Sequence, residues 1–205
     1  MLSFLSLSTP PYITHSDIET AANEFLKKFN SDGTIPVDIE SIVRYNMDKK
    51  IDLQDMSLEG FSTNDFSIIY IKAYDYRFNT KRARFTIAHE IGHCQLHQKY
   101  YRHYPESEKA WKKFQESRSK EYDFFEWHAD TFAGMVLIPT IALKEKISPH
   151  KKKLENLLNT MKEETYIENA FNDIGSYFCD DFDVSEAAMA IRIKRSELLK
   201  YPKIK

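Results

Sequence analysis

Two cysteines in 205 residues, Cys94 and Cys179, are too few for a disulfide framework, and their scarcity suits a reducing compartment. No apolar run approaches the roughly 18 residues that a membrane-spanning helix needs. The opening Met1-Leu2-Ser3-Phe4-Leu5-Ser6-Leu7 is mildly apolar but lacks a basic flank and a long apolar centre, so it does not read as a secretory signal. Charge of one sign is also missing. The 29 Lys and Arg against 31 Asp and Glu leave a net charge of -2, which gives no global attraction for nucleic acid and leaves only a local patch open. Together these absences predict a cytoplasmic chain with no membrane partner. What is present, 42% hydrophobic and 29% charged residues, is the balance of a globular domain large enough for its own core.

The stretch with chemistry in it runs from Arg84 to His97 and contains His89-Glu90-Ile91-Gly92-His93. Residues four apart on an α-helix lie one turn above each other, so His89 and His93 point the same way. Two imidazoles on one face can fill two corners of a tetrahedral zinc site, leaving room for a third ligand and a water. Glu90 then lies beside the metal as a base for that water. Phe85, Ala88, Ile91 and Leu96 give the same helix an apolar side.

A third ligand is available downstream, in Glu126-Trp127-His128-Ala129-Asp130. Glu126 and Asp130 are again four apart. Glu126 completes a His, His, Glu set, and Asp130 can accept the second ring N–H of a metal-bound histidine and fix its tautomer. If Glu126 is not the ligand, Asp130 or His128 is next in line. His128 faces about 100° away from Glu126 on a helix, so it reads as a non-ligand. His97 lacks the glycine turn that would bring a third histidine back to the metal, and it reads as a supporting or packing residue. Cys94 reads as a small buried helix residue.

Arg84-Phe85-Thr86-x-Ala88-His89-Glu90-x-Gly92-His93, then Glu126-x-x-Ala129-Asp130-x-Phe132-Ala133 and Leu137-Ile138-Pro139, resembles the ImmA/IrrE family of metallopeptidases. The order of motifs fits from about Ile18 to Leu199. The resemblance implies zinc held by His89, His93 and Glu126, with Glu90 as catalytic base. It also implies a protein substrate, a helix-turn-helix repressor or antitoxin of a mobile element, prophage or stress response, whose cleavage switches genes on.

Around the motifs, residues 16–29 carry Ile18, Ala22, Phe25 and Phe29 at helical spacing, with Ser16 and Glu19 as a capping box. Pro36 opens a short helix over 37–45. Strands are predicted over 50–53 and 66–72, with Gly60 and residues 62–65 in the turn between them. The second strand is the expected edge for pairing with an extended substrate. Asn79 or Thr80 should start the metal helix, with Lys81, Arg82 and Arg84 on a solvated face. An aromatic group (Tyr100, Tyr101, His103, Tyr104) precedes a charged helix over 105–120. Helices follow over 141–147 and 154–161, broken at Ser148-Pro149. Residues 167–199 read helix, turn, helix, with Ser185 as N-cap and Ala188, Ile191 and Ile193 buried. Arg192, Lys194 and Arg195 could meet DNA phosphates, but Asp173, Asp180, Asp181 and Asp183 would repel them.

The expectation is an α+β, zincin-like metallopeptidase with a short mixed sheet. Residues 1–147 form the zinc domain and residues 148–205 a helical, helix-turn-helix-like extension. The rival is a non-catalytic or DNA-binding regulator whose zinc site is structural. Glu90 beside intact ligands favours the enzyme, because a structural site needs no base.

Overall fold

Helix α1 (His15–Phe29) buries Ile18, Ala22 and Phe25 on one face, as their spacing predicts. The structure, a computed structural model, describes residues 13–63, 65–101 and 120–202. The capping box is Thr14 with Asp17 rather than Ser16 with Glu19: Thr14 Oγ1 accepts the Asp17 N–H at 3.2 Å and Asp17 Oδ2 accepts the Thr14 N–H at 2.8 Å. Glu19 is committed elsewhere, accepting from the Thr140 hydroxyl at 3.3 Å. Asp38 caps α2 (Ile39–Ser41), which runs into a single π-helical turn, Ile42–Asn46; the start falls later than Pro36 because the cap is Asp38.

The sheet corrects the expected strand roles. Strands β1 (Lys50–Gln54), β2 (Gly60–Ser62) and β3 (Ile68–Lys72) lie in the order β1-β3-β2, with β1 parallel and β2 antiparallel to β3. Gly60 and Ser62 are therefore strand, not turn, and the Ile-rich strand is central rather than the edge. The turn sits later. Asp65 Oδ1 accepts from the Thr63 hydroxyl at 2.6 Å and the Ser67 N–H at 2.9 Å, and Phe66 takes φ 55°. Those bonds from Thr63 and Ser67 lower the Asp65 carboxyl to about 2.

After α3 (Ala73–Phe78), Asn79 closes one helix and starts the next, its carbonyl accepting from Arg82 and Ala83. Helix α4 (Thr80–Tyr101) continues a turn past His97 and packs against α5 (Lys120–Leu137). Gly92 permits the contact, since a Cβ there would lie 3.0 Å from both Ala129 Cα and Ala129 O. The basic residues of α4 do more than face water: Arg84 donates to Val37 O at 2.9 Å and pairs with Asp183 at 3.0 Å, and Lys81 reaches Asp180 at 2.7 Å. The expected helix over 105–120 and the aromatic side chains before it lie outside the described residues.

Helix α6 (Thr140–Ile147) follows Pro139 and passes through a 3-10 turn, Ser148–His150, into α7 (Lys151–Thr160), so Ser148-Pro149 bends the path without ending it. Helix α8 (Glu164–Phe178) leads through Cys179–Phe182 and a left-handed Asp183 to α9 (Glu186–Arg195), which Ser185 caps by accepting the Ala188 N–H at 3.1 Å. Ile191 is 51% exposed, contrary to expectation, because Met189, Ala190 and Ile193 supply the buried face. Arg192 is buried instead, donating to Ile138 O at 3.2 Å and Thr140 Oγ1 at 2.7 Å. The larger apolar core includes residues from Ile18 to Leu199, so the C-terminal helices share it with the motif helices.

A Cβ on Gly175 would meet Glu186 O at 2.7 Å and Ala190 N at 2.9 Å, backbone atoms that no rotamer change can clear. Gly175→Ala should therefore lose about 1–3 kcal/mol of unfolding free energy by overpacking, where helix propensity alone would gain about 1 kcal/mol. Urea denaturation followed by circular dichroism reads the sign.

Candidate metal centre

Helix α4 carries the first two candidate ligands and α5 the third. His89 and His93, one turn apart, bring their Nε2 atoms to 3.0 Å, with the rings nearly perpendicular at 80°. Glu126 reaches across from α5, with one oxygen 3.4 Å from His89 Nε2 and the other 3.4 Å from His93 Nε2. Ligand atoms of the three residues all lie within 4.8 Å of one another. Metal–ligand bonds of about 2.0–2.1 Å at the tetrahedral angle separate neighbouring ligand atoms by about 3.3 Å. The observed separations, 3.0 Å between the two Nε2 atoms and 3.4 Å from each of them to one or other Glu126 oxygen, are of that size. The donor set thus fits a small divalent ion.

Electrostatics agree with the fit. Burial alone would lower the His89 pKa, yet hydrogen bonds to Asp130 and Glu126 carry it well above the ordinary imidazole value. Burial would raise Glu126, but its bonds to His89 and His93 hold it below the usual carboxylate range. The cluster keeps its carboxylate ionised and draws positive charge into the space between the three residues, and a cation supplies that charge directly.

Asp130 Oδ1 lies 2.8 Å from His89 Nδ1, the ring nitrogen turned away from the cluster. His97 stands behind His93 and is fully buried; His128 is buried beside His97, its Nδ1 3.2 Å from His97 Nε2, and is not part of the cluster. Cys94 is half-buried against a small second core of Met56, Phe61 and Phe66, and burial raises its thiol pKa, which suits packing rather than reactivity.

Glu90 is 4% exposed and points to the sheet, where Ser62 Oγ donates to its Oε2 at 2.7 Å. Sequence reasoning missed Ser62, and nothing local could have found it: it is a short polar residue 28 positions upstream, and only the crossing of β2 over α4 brings the two together. A cleft of about 740 Å³ opens over these groups. Its lining includes Gly60 and Phe61 of β2 and Ala188, Ile191 and Arg195 of α9. The side chain of His93 is 2% exposed, against 15% for His89 and 31% for Glu126, so the cluster is reached from the cleft side. Thr131, also on the cleft wall, keeps a buried hydroxyl with no partner among the described residues.

Comparison with individually curated proteins returns no match. A family model does match: the IrrE N-terminal-like domain of the M78 peptidases aligns with residues 47–194, well over half of the chain and inclusive of every residue of the cluster. With the His89, His93 and Glu126 grouping in the form that an HExxH site with a glutamate third ligand requires, the chain belongs to the ImmA/IrrE (M78) family of metallopeptidases.

Proposed function

We propose that this protein is a zinc endopeptidase that cuts a helix-turn-helix repressor or antitoxin at one site in the cytoplasm. The observation that carries the reading is the buried pairing of Glu90 with Ser62 beside three convergent ligands, because a site built only for structure needs no oriented base. Two imidazoles and one carboxylate suit zinc, with His89, His93 and Glu126 as ligands. Zinc held there would supply Lewis acidity towards the scissile carbonyl and would let a water lose a proton near neutral pH. Glu90 accepts that proton and returns it to the leaving amine, while Ser62 holds the carboxylate in line. Asp130 keeps His89 in the tautomer that offers Nε2 to the metal.

Substrate contact is available from both β2 and α9, which line the cleft. Thr63 and Lys72 N–H donate to Ile68 O and Glu59 O, which places residues 59, 61 and 63 in the pairs bonded to β3. Gly60 therefore turns its main-chain groups to the outer edge, where a substrate strand can pair. An edge reads backbone and few side chains, so selectivity needs a second contact. The exposed face of α9, with Ile191 and Arg195, is placed for that. Against DNA binding by the same helix, Arg192 is buried and Lys194 pairs with Glu168, leaving Arg195 alone of the three. No helix among the described residues is long and apolar enough to cross a membrane.

Purified protein should carry about one zinc per chain. Elemental analysis of His93→Ala and Glu126→Ala should show it depleted, and full occupancy in Glu126→Ala would move the third ligand elsewhere.

Glu90→Gln should keep the metal while cleavage of a co-expressed repressor falls roughly 10²–10⁴-fold. Wild-type turnover in that variant would remove Glu90 as base.

Deleting the tail would open the core, so the substrate question is put by point substitution. Ile191→Glu and Arg195→Glu should reduce repressor cleavage with unchanged zinc content and melting temperature. Cleavage of unfolded casein as fast as repressor by the wild type would overturn the single-site reading, and tight sequence-specific DNA binding would favour a regulator.

A further inference from the structure

Behind the cluster, on the side away from the cleft, three histidines form a buried row. His93 Nδ1 lies 2.9 Å from His97 Nδ1, and His97 Nε2 lies 3.2 Å from His128 Nδ1. The three are 2%, 0% and 3% exposed. A hydrogen bond between two imidazole nitrogens needs a donor on one and a lone pair on the other, so each link constrains the next. We propose that His97 and His128 are positioning residues which, with His93, form a one-way relay of neutral imidazoles that fixes the tautomer of His93 and ties the two ligand helices together behind the metal.

The direction follows from the geometry. To offer a lone pair at Nε2, facing His89 and Glu126, neutral His93 must carry its proton on Nδ1. That N–H donates to His97 Nδ1, so His97 carries its own proton on Nε2. His97 Nε2–H then donates to His128 Nδ1, which leaves His128 protonated on Nε2. A cationic His97, or its other tautomer, would set two N–H groups against each other across 2.9 Å. Only one assignment satisfies both links with His93 as a ligand.

The relay also gives the two histidine ligands different support. His89 leans on Asp130, a carboxylate whose side chain is 51% exposed at the cleft. His93 leans on a neutral ring sealed in the core against Phe125, with ring centroids 4.3 Å apart. A carboxylate on both ligands would add a second negative charge, buried and without a cation of its own. The imidazole row supplies the acceptor without that charge. His128 lies two residues after Glu126, so the row joins the helix with two candidate ligands to the helix with the third. The site is thereby held in shape before an ion arrives.

This inference rests on the metal-site reading above, and its tests need no substrate. In zinc-loaded wild-type protein with ¹⁵N-labelled histidine, two-bond ¹H–¹⁵N correlation spectra should place the protons on His93 Nδ1, His97 Nε2 and His128 Nε2. Zinc affinity, measured by competition with a chromophoric chelator, should fall about 10–100-fold in His97→Phe, which keeps a ring of similar shape but no acceptor. His97→Asn, whose amide oxygen can replace Nδ1 as acceptor, should restore most of that loss. His128→Phe, which breaks only the far link, should lose less than His97→Phe. A proton on His97 Nδ1, or wild-type zinc affinity in His97→Phe, overturns the relay while leaving the metal site standing. If His97→Phe does not fold, the wild-type spectrum still decides. Failure of the wild-type protein to take up zinc would overturn the metal reading and the direction of the relay with it.

Discussion

The close approach of α4 and α5 is the constraint on which the rest of the structure depends. Gly92 sits between the two histidines of the motif, and the missing side chain brings α4 to within a Cβ contact distance of the Ala129 backbone. A larger residue at either position would push the helices apart. The spacing of the cluster, with edges of 3.0 and 3.4 Å, would then be lost, because Glu126 reaches the histidines only from the facing helix. Packing density and chemistry are here the same fact: a small residue inside the motif allows a backbone contact, and the contact sets a ligand geometry.

Polar groups are distributed around that contact by depth. On the deep side, His93, His97 and His128 are buried, and each finds a ring-nitrogen partner. On the cleft side, Glu126 and Asp130 remain partly exposed, where water and substrate can enter. Glu90 occupies a third direction, towards the sheet, and is held by Ser62 from the edge strand. The candidate base, the candidate ligand set and the edge strand thus come from three elements packed together, α4, α5 and β2, which is the rigidity that pre-organised catalysis requires.

The C-terminal helices contribute to the same arrangement. Phe171, Phe178, Phe182 and Ile193 belong to the core that also contains Ile87, Ile91, Phe132 and Val136. Arg84 on the metal helix joins Val37 O and Asp183, so the segment before α2 and the turn before α9 are pinned to α4 from both ends of the chain. Arg192 seals the junction between the end of α5 and the start of α6. Residues that look like a phosphate-binding row in one dimension are thereby consumed by structure, and the face of α9 left open is apolar Ile191 beside Arg195.

The sequence by itself determined the candidate ligands, because a metal site on helices is written in intervals of four and those intervals survive folding. His89 and His93, Glu126 and Asp130, and the apolar residues beneath them could all be placed from local periodicity, as could α1 and the Ser185 cap. Tertiary structure alone decided which strand is the edge. Strand order depends on pairing between segments that β-propensity cannot see, so the Ile-rich stretch became central β3 and three residues around Phe61 became β2. The same holds for Ser62 against Glu90 and for the row from His93 to His128. Each joins residues from different elements, and only the depth and angle of helix packing determine whether such side chains meet.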